Sequence, residues 1–307
     1  MEFKSGYATI IGAPNAGKST LLNAVLGEKI AIATPKPQTT RDAILGIKHL
    51  NDAQIVFVDT PGIHRAKGRL NKAMVKNALD SLGQVDVVLF MVDAARQSAQ
   101  GQGTPLDRDL AVAKQLADCG KPIIMLLNKT DKMKKEALLP VIDSWGAELK
   151  CHAILPLSAL RSEGLDMLLK EVVALFGAGP AYFPDDMVTD RSMRFLTSEV
   201  IREKLFMQLD QEMPYSIAVE VEAWNELPKK TEIQAVIHVE RDSQKRIVVG
   251  AGGQRIKAVG MAARKELERM IGRKVYLELF VRVEAKWSES QRSLERFGYM
   301  DRDRRGK

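Results

Sequence analysis

Two cysteines, Cys119 and Cys151, and four histidines are all that a chain of 307 residues offers to disulfide or zinc chemistry. Two lone thiols cannot form a disulfide framework, and the scattered histidines lack metal-site spacing. Long apolar runs are also missing. The longest, 85–92 and 122–127, fall well short of the ~18 to 20 residues a membrane helix needs. The opening Met-Glu-Phe-Lys-Ser-Gly-Tyr leads straight into a strand pattern and has no signal-peptide apolar region. These absences lead us to expect a reduced, cytoplasmic protein, and the length suggests two domains.

The net charge is +7, and its distribution says more than its size. Residues 1–180 carry 22 basic and 18 acidic side chains, or +4; residues 181–240 carry 6 and 12, or −6; residues 241–307 carry 18 and 9, or +9. An acidic stretch followed by a basic one predicts a basic face near the C-terminus, suited to a polyanionic partner.

Short apolar segments at 7–11, 55–58, 85–92, 123–127 and 154–157 read as buried strands. Helical patterns at 21–26, 70–82, 106–116 and 165–176 lie between them or close the series. Continuous apolar strands alternating with helices predict a doubly wound α/β domain with a mostly parallel sheet. Two glycines, two prolines and two acids then fall within 177–186, a linker composition. The expected division is therefore a first domain over 1–177, a linker over 178–190 and a smaller α+β domain over 191–307 that ends in a basic tail. In that second part, 191–209 reads as a helix, and 215–223 and 232–239 alternate as an antiparallel pair. A glycine cluster at 250–253, a helix to Ile271 and a strand at 275–283 follow.

Gly12-Ala13-Pro14-Asn15-Ala16-Gly17-Lys18-Ser19, with Thr20 next, fits the phosphate-binding spacing GxxxxGK[ST] between a strand and a helix. Backbone N–H groups and the helix start favour phosphate. Lys18 is expected to reach the β- and γ-phosphates, and Ser19 to ligate Mg²⁺. Asn128-Lys129-Thr130-Asp131 follows the fourth strand, where a base pocket belongs. A carboxylate accepts both the ring N–H and the exocyclic amine of guanine, whereas adenine would leave it buried and unpaired. Asp59-Thr60-Pro61-Gly62 ends the second strand; Asp59 is expected to hold Mg²⁺ through water, and the Gly62 N–H to sense a γ-phosphate. Thr40, with Thr39 as the alternative, completes Mg²⁺ coordination in this reading. Ser158-Ala159-Leu160 matches the element whose backbone N–H contacts the guanine carbonyl. Lys18, Thr40 and Gly62 are thus the catalytic candidates of a GTPase. Ile63 stands where many GTPases carry a water-orienting Gln, so intrinsic hydrolysis is expected to be slow. Asn15 in a loop of this style resembles GTPases that bind K⁺ beside the phosphates.

Gly250-Ala251-Gly252-Gly253 with apolar flanks matches the GxxG loop of a KH domain, in helix–strand–strand–GxxG–helix–strand order, and Arg246, Arg255, Lys257, Arg264 and Lys265 lie nearby. With both halves read, the chain resembles the Era family of bacterial GTPases, which join a P-loop GTPase domain to a C-terminal type II KH domain. The resemblance implies GTP hydrolysis with Mg²⁺, a role in small (30S) ribosomal subunit maturation, binding near the 3′ end of 16S rRNA, and peripheral inner-membrane association. A monomer is expected. Ala251 stands where the family often has a basic residue, so its side chain supplies no charged phosphate contact at that position. Two alternatives remain in the sequence: a tRNA-modification GTPase, whose expected reactive C-terminal cysteine is absent, and a membrane-linked signalling GTPase. The anchor candidate for the latter, 287–297, is short and poor in apolar residues.

Overall fold

The computed structural model describes residues 2–34, 36, 44–59, 83, 85–99, 103–209 and 213–297. These fall into two compact units, the boundary lying between Asp190 and Arg191.

The first unit is built on a six-stranded sheet in the order β2-β3-β1-β4-β5-β6. Its strands are β1 (Lys4–Ile11), β2 (Ile44–His49), β3 (Ala53–Asp59), β4 (Val87–Asp93), β5 (Ile123–Asn128) and β6 (Ala153–Pro156). All pairings are parallel except β2 with β3. Every residue of β3 and β5 is buried, and so are the first six of β4. Helices on both faces remove water from these strands, which is why they read as unbroken apolar runs. The helices are α1 (Lys18–Leu26), α2 (Ala94–Ala99), α3 (Asp107–Leu116), α4 (Leu138–Glu148) and α5 (Leu165–Ala174). Trp145 of α4 is fully buried edge-on against Phe90, with ring centroids 5.6 Å apart. Its indole N–H donates to Gln97 Oε1 at 2.8 Å, so the one polar atom it takes inside is satisfied. The helix expected at 70–82 lies outside the described residues.

The segment expected as a linker is bonded to the first unit along its length. Gly179 N–H donates to Phe3 O at 2.9 Å, Ser5 Oγ–H to Pro180 O at 2.6 Å and Ile47 N–H to Val188 O at 2.8 Å. Fully buried Gln54 accepts from the Tyr182 and Phe183 N–H groups and donates to Phe183 O. Isolated antiparallel bridges pair Ala178 with Lys4 and Thr189 with Gly46, and between them a turn closes with Met187 N–H on Pro184 O at 3.1 Å.

The second unit pairs β7 (Ala218–Glu226) antiparallel with β8 (Lys230–Val239), and β8 parallel with β9 (Lys274–Val283). The hairpin is tighter than the expected 225–230 gap and closes with Leu227 N–H on Lys230 O at 2.9 Å. Helices α6 (Met193–Gln208) and α8 (Gln254–Ile271) supply Val200, Ile201, Leu205, Val259, Ala263 and Leu267 to a core with Ile233, Ala235 and Ile237. One element enters the expected order: α7 (Asp242–Val249) precedes the glycine loop, giving α-β-β-α-GxxG-α-β. The apolar side chains of 287–297 are spent inside this unit. Trp287 and Leu294 are fully buried, and Phe297 packs edge-on against Trp287; short α9 (Gln291–Arg296) carries Leu294. Among the described residues no helix is long and apolar enough to cross a membrane.

Candidate nucleotide and nucleic-acid sites

The loop over residues 12–17 joins β1 to α1. Gly17 has φ 109°, and a Cβ there would meet Asn128 Nδ2 at 2.3 Å, so both backbone and space require glycine. Gly12, Ala13 and Ala16 are buried, Pro14 and Thr20 half-buried, and Asn15 exposed with φ 66°. Lys18 Nζ donates to the Gly12 carbonyl at 3.0 Å and to that of Ala13 at 3.2 Å. Burial pushes the Lys18 ammonium down to about 8, against the pull of Asp59 and Asp109. A buried cation whose hydrogen bonds among the described residues go to neutral carbonyls is a site prepared for phosphate oxygens.

Asp59 ends β3 and Ser19 lies in the first turn of α1; because β3 pairs directly with β1, the two meet. Ser19 Oγ–H donates to Asp59 Oδ2 at 2.8 Å. A hydroxyl and a carboxylate oxygen beside the phosphate loop are hard donors, and they fit Mg²⁺ chemistry. Thr39, Thr40, Thr60, Pro61, Gly62 and Ile63 lie outside the described residues.

On the far side of the loop, Asn128 is buried and acts as a staple. Its Nδ2 donates to Ala16 O at 2.7 Å, and its Oδ1 accepts from Ala159 N–H at 3.0 Å. It thus binds the phosphate loop to the 158–159 element, a supporting role that the spacing alone does not distinguish from base contact. Ser158 Oγ–H donates to Asp131 Oδ1 at 2.7 Å and fixes that carboxylate. Lys129, with φ 68°, donates to Asn15 O at 2.7 Å. A carboxylate fixed in this way offers acceptor oxygens suited to the ring N–H and exocyclic amine of guanine.

In the second unit, Gly250, Gly252 and Gly253 have φ 73°, 55° and 78°. Exposed Ala251 and Gly252 sit at the tip of the corner between α7 and α8. Arg246 and Lys257 are exposed. Arg255 departs from a purely outward role, since its guanidinium donates to Ile247 O and so braces the α7 end of the corner. Beside the loop lies a cavity of about 280 Å³ lined by Ile256, Lys257, Gly260, Met261, Arg264, Leu277 and Leu279. Its apolar floor and basic rim suit bases below and phosphates above. Of these residues the sequence reading singled out only Lys257 and Arg264. The floor needs α8 set against β9, which no local pattern reveals.

Residues 7–129 match the family model of 50S ribosome-binding GTPases, and residues 212–288 match that of KH domains. The chain is 48% identical to GTPase Era of Geotalea uraniireducens over 299 residues, covering 97% of this chain and 98% of that one. It is 45% identical to GTPase Era of Alkaliphilus metalliredigens, at 97% and 100% coverage. Among solved structures, it is similar to Aquifex aeolicus Era bound to GDP and AlF₄⁻, with TM-score 0.91, 40% identity and coverage of 97% and 99%. It is also similar to Era in complex with MgGDPNP and nucleotides 1506–1542 of 16S ribosomal RNA, with TM-score 0.90, 40% identity and the same coverage.

Proposed function

The chain belongs to the Era family of GTPases, and from that premise we propose that it is a GTP-switched RNA-binding factor of small ribosomal subunit assembly that binds near the 3′ end of 16S rRNA. The observation that carries the reading is the joining, in one chain, of a nucleotide site built from interlocked loops to a KH groove with an apolar floor and a basic rim. The RNA-bound Era structure matches along nearly the whole of this chain, so the same join exists in a protein seen with 16S rRNA.

In this reading Asp131 selects guanine, the Ala159 N–H shares its proton between Asn128 Oδ1 and the guanine carbonyl, and Lys18 holds the β- and γ-phosphates. Ser19, Thr40 and Asp59 (the last through water) hold Mg²⁺, which offsets phosphate charge when bound. Gly62 senses the γ-phosphate. Ile63 orients no water, so hydrolysis is slow unless another group assists. The Asn15 backbone carbonyl is already engaged by Lys129, so its side-chain amide oxygen is the group it would offer K⁺. Equal single-turnover rates in K⁺ and Na⁺ would remove that role.

The function is tested by crosslinking the protein, loaded with a non-hydrolysable GTP analogue, to total cellular RNA and sequencing the bound fragments. Enrichment of the 3′ end of 16S rRNA is expected. Enrichment of tRNA instead would favour a tRNA-modification partner and overturn the assembly reading.

A further inference from the structure

Asp93 is the last residue of β4 and stands level with Asn128 in the parallel β4–β5 register. Its Oδ1 accepts from the Arg96 N–H at 3.1 Å, in the first turn of α2. Its Oδ2 lies 2.7 Å from Lys129 Nζ, and that same ammonium donates to the Asn15 carbonyl at 2.7 Å. Asn15 and Lys129 both hold left-handed backbone, φ 66° and 68°. One ammonium therefore ties together three loops: the phosphate loop, the end of β4 and the loop that carries Asp131. The Asp93 side chain is 13% exposed and that of Lys129 25% exposed, so water screens the pair only in part.

We propose that Asp93 is a positioning residue for the guanine-nucleotide site. It fixes Lys129 against the phosphate loop and so sets the separation between the anchor for phosphate and the anchor for the base. The proposal rests on the reading of Asn128–Asp131 as the base site. Without the carboxylate, the long Lys129 side chain regains rotamer freedom, and the Asn15 carbonyl loses a charge-assisted bond that holds its left-handed conformation. A nucleotide bridging both anchors then dissociates faster.

The discriminating experiment is a double-mutant cycle on the full chain: wild type, Asp93→Asn, Lys129→Ala and the double variant, with GDP and GTP affinities and dissociation rates measured in Mg²⁺. An Asn at position 93 keeps an oxygen for the Arg96 N–H and turns an amide N–H donor, in place of a charged acceptor, toward Lys129. Asp93→Asn is expected to weaken GDP and GTP alike, by about tenfold and through faster dissociation, and to have no further effect in the Lys129→Ala background. Wild-type affinity in Asp93→Asn, or additive losses in the double variant, would overturn the proposal. If Lys129→Ala binds as wild type, the tie sets nothing and the proposal falls, while the base-site reading is decided separately by Asp131→Asn. Should Asp93→Asn fold poorly, Asp93→Ser retains a capping oxygen and is too short to reach Lys129. A loss confined to melting temperature, with dissociation rates unchanged, would mark Asp93 as a helix cap only.

Discussion

In the first unit Lys18, Asp59, Asn128 and Ser158 are 7% exposed or less, and each is held by a neighbouring loop. In the second unit Lys257 and Arg264 rim a shallow groove, Arg246 of α7 and Lys265 of α8 are exposed, and the glycine loop turns toward solvent. The first arrangement desolvates its charges before a ligand arrives, so each contact is strong and the loss of one is costly. The second spreads weak, screened contacts over a surface that a flexible strand can follow. A small rigid ligand calls for the former, and a long polyanion tolerates the latter. The contrast can be broken at both ends.

The largest effect belongs at Asp131. Ser158 and the 158–163 turn hold its carboxylate, so the acceptor pair cannot swing away from a poor match. Asp131→Asn replaces one acceptor by a donor. It should lower GTP affinity by roughly 100-fold or more and raise affinity for xanthosine triphosphate. Competition among GTP, XTP and ATP measures it; an unchanged GTP preference would show that the enclosed site does not read the base here.

The enclosed site was also the more legible in the sequence. Gly12 to Ser19, Asp59 and Asn128 to Asp131 sit at ends of buried strands, where an apolar run stops and a polar cluster starts. What stayed hidden depended on the fold. Strand β2 is interrupted by Gly46 and ends in Lys48-His49, so it has no apolar period. Helix α4 carries Pro140 and Gly146, and α7 begins with the polar run Asp-Ser-Gln-Lys-Arg. Asp93 stands outside any motif and meets Lys129 only because β4 and β5 are in register. The segment 178–190 has a linker composition, yet it lies bonded along β1, β2 and β3, because composition reports the absence of regular structure and not the absence of partners.

An intermediate effect is expected at the glycine loop. Gly252 and Gly253 to Asp puts two carboxylates where phosphates would dock. A Cβ at either position meets nothing within 4 Å, and Asp tolerates left-handed backbone better than most residues, so the fold should survive. Affinity for a single-stranded fragment from the 3′ end of 16S rRNA should fall about tenfold, or about 1.4 kcal/mol, with GTP binding retained. Lys229 and Lys230 to Asp, in the β7–β8 hairpin, changes charge by a larger amount away from the loop. Equal losses from the two double variants would reduce the groove to a general charge effect and erase half of the contrast.

The smallest effect concerns the state of Lys18 before nucleotide arrives. Burial holds its ammonium at about 8, below its ordinary 10.5. The folded, ligand-free protein therefore binds fewer protons than the unfolded chain between about pH 8 and 10.5. This burial penalty is fully present below pH 8 and fades as pH rises through that window. Phosphate oxygens favour the charged form, so nucleotide binding must take up a proton once the free protein begins to lose one. GDP affinity should then be flat from pH 6.5 to 7.5 and roughly fourfold weaker at pH 8.6 than at pH 7. Calorimetry in two buffers of different ionisation enthalpy reads the same proton directly, as uptake that grows above pH 8. Lys18→Arg, whose guanidinium does not titrate in this range, should show no such uptake whatever its absolute affinity. Uptake of equal size in the Arg variant would assign the proton to another group, and Lys18 would then enter the binding step already fully charged, like the exposed cations of the KH unit.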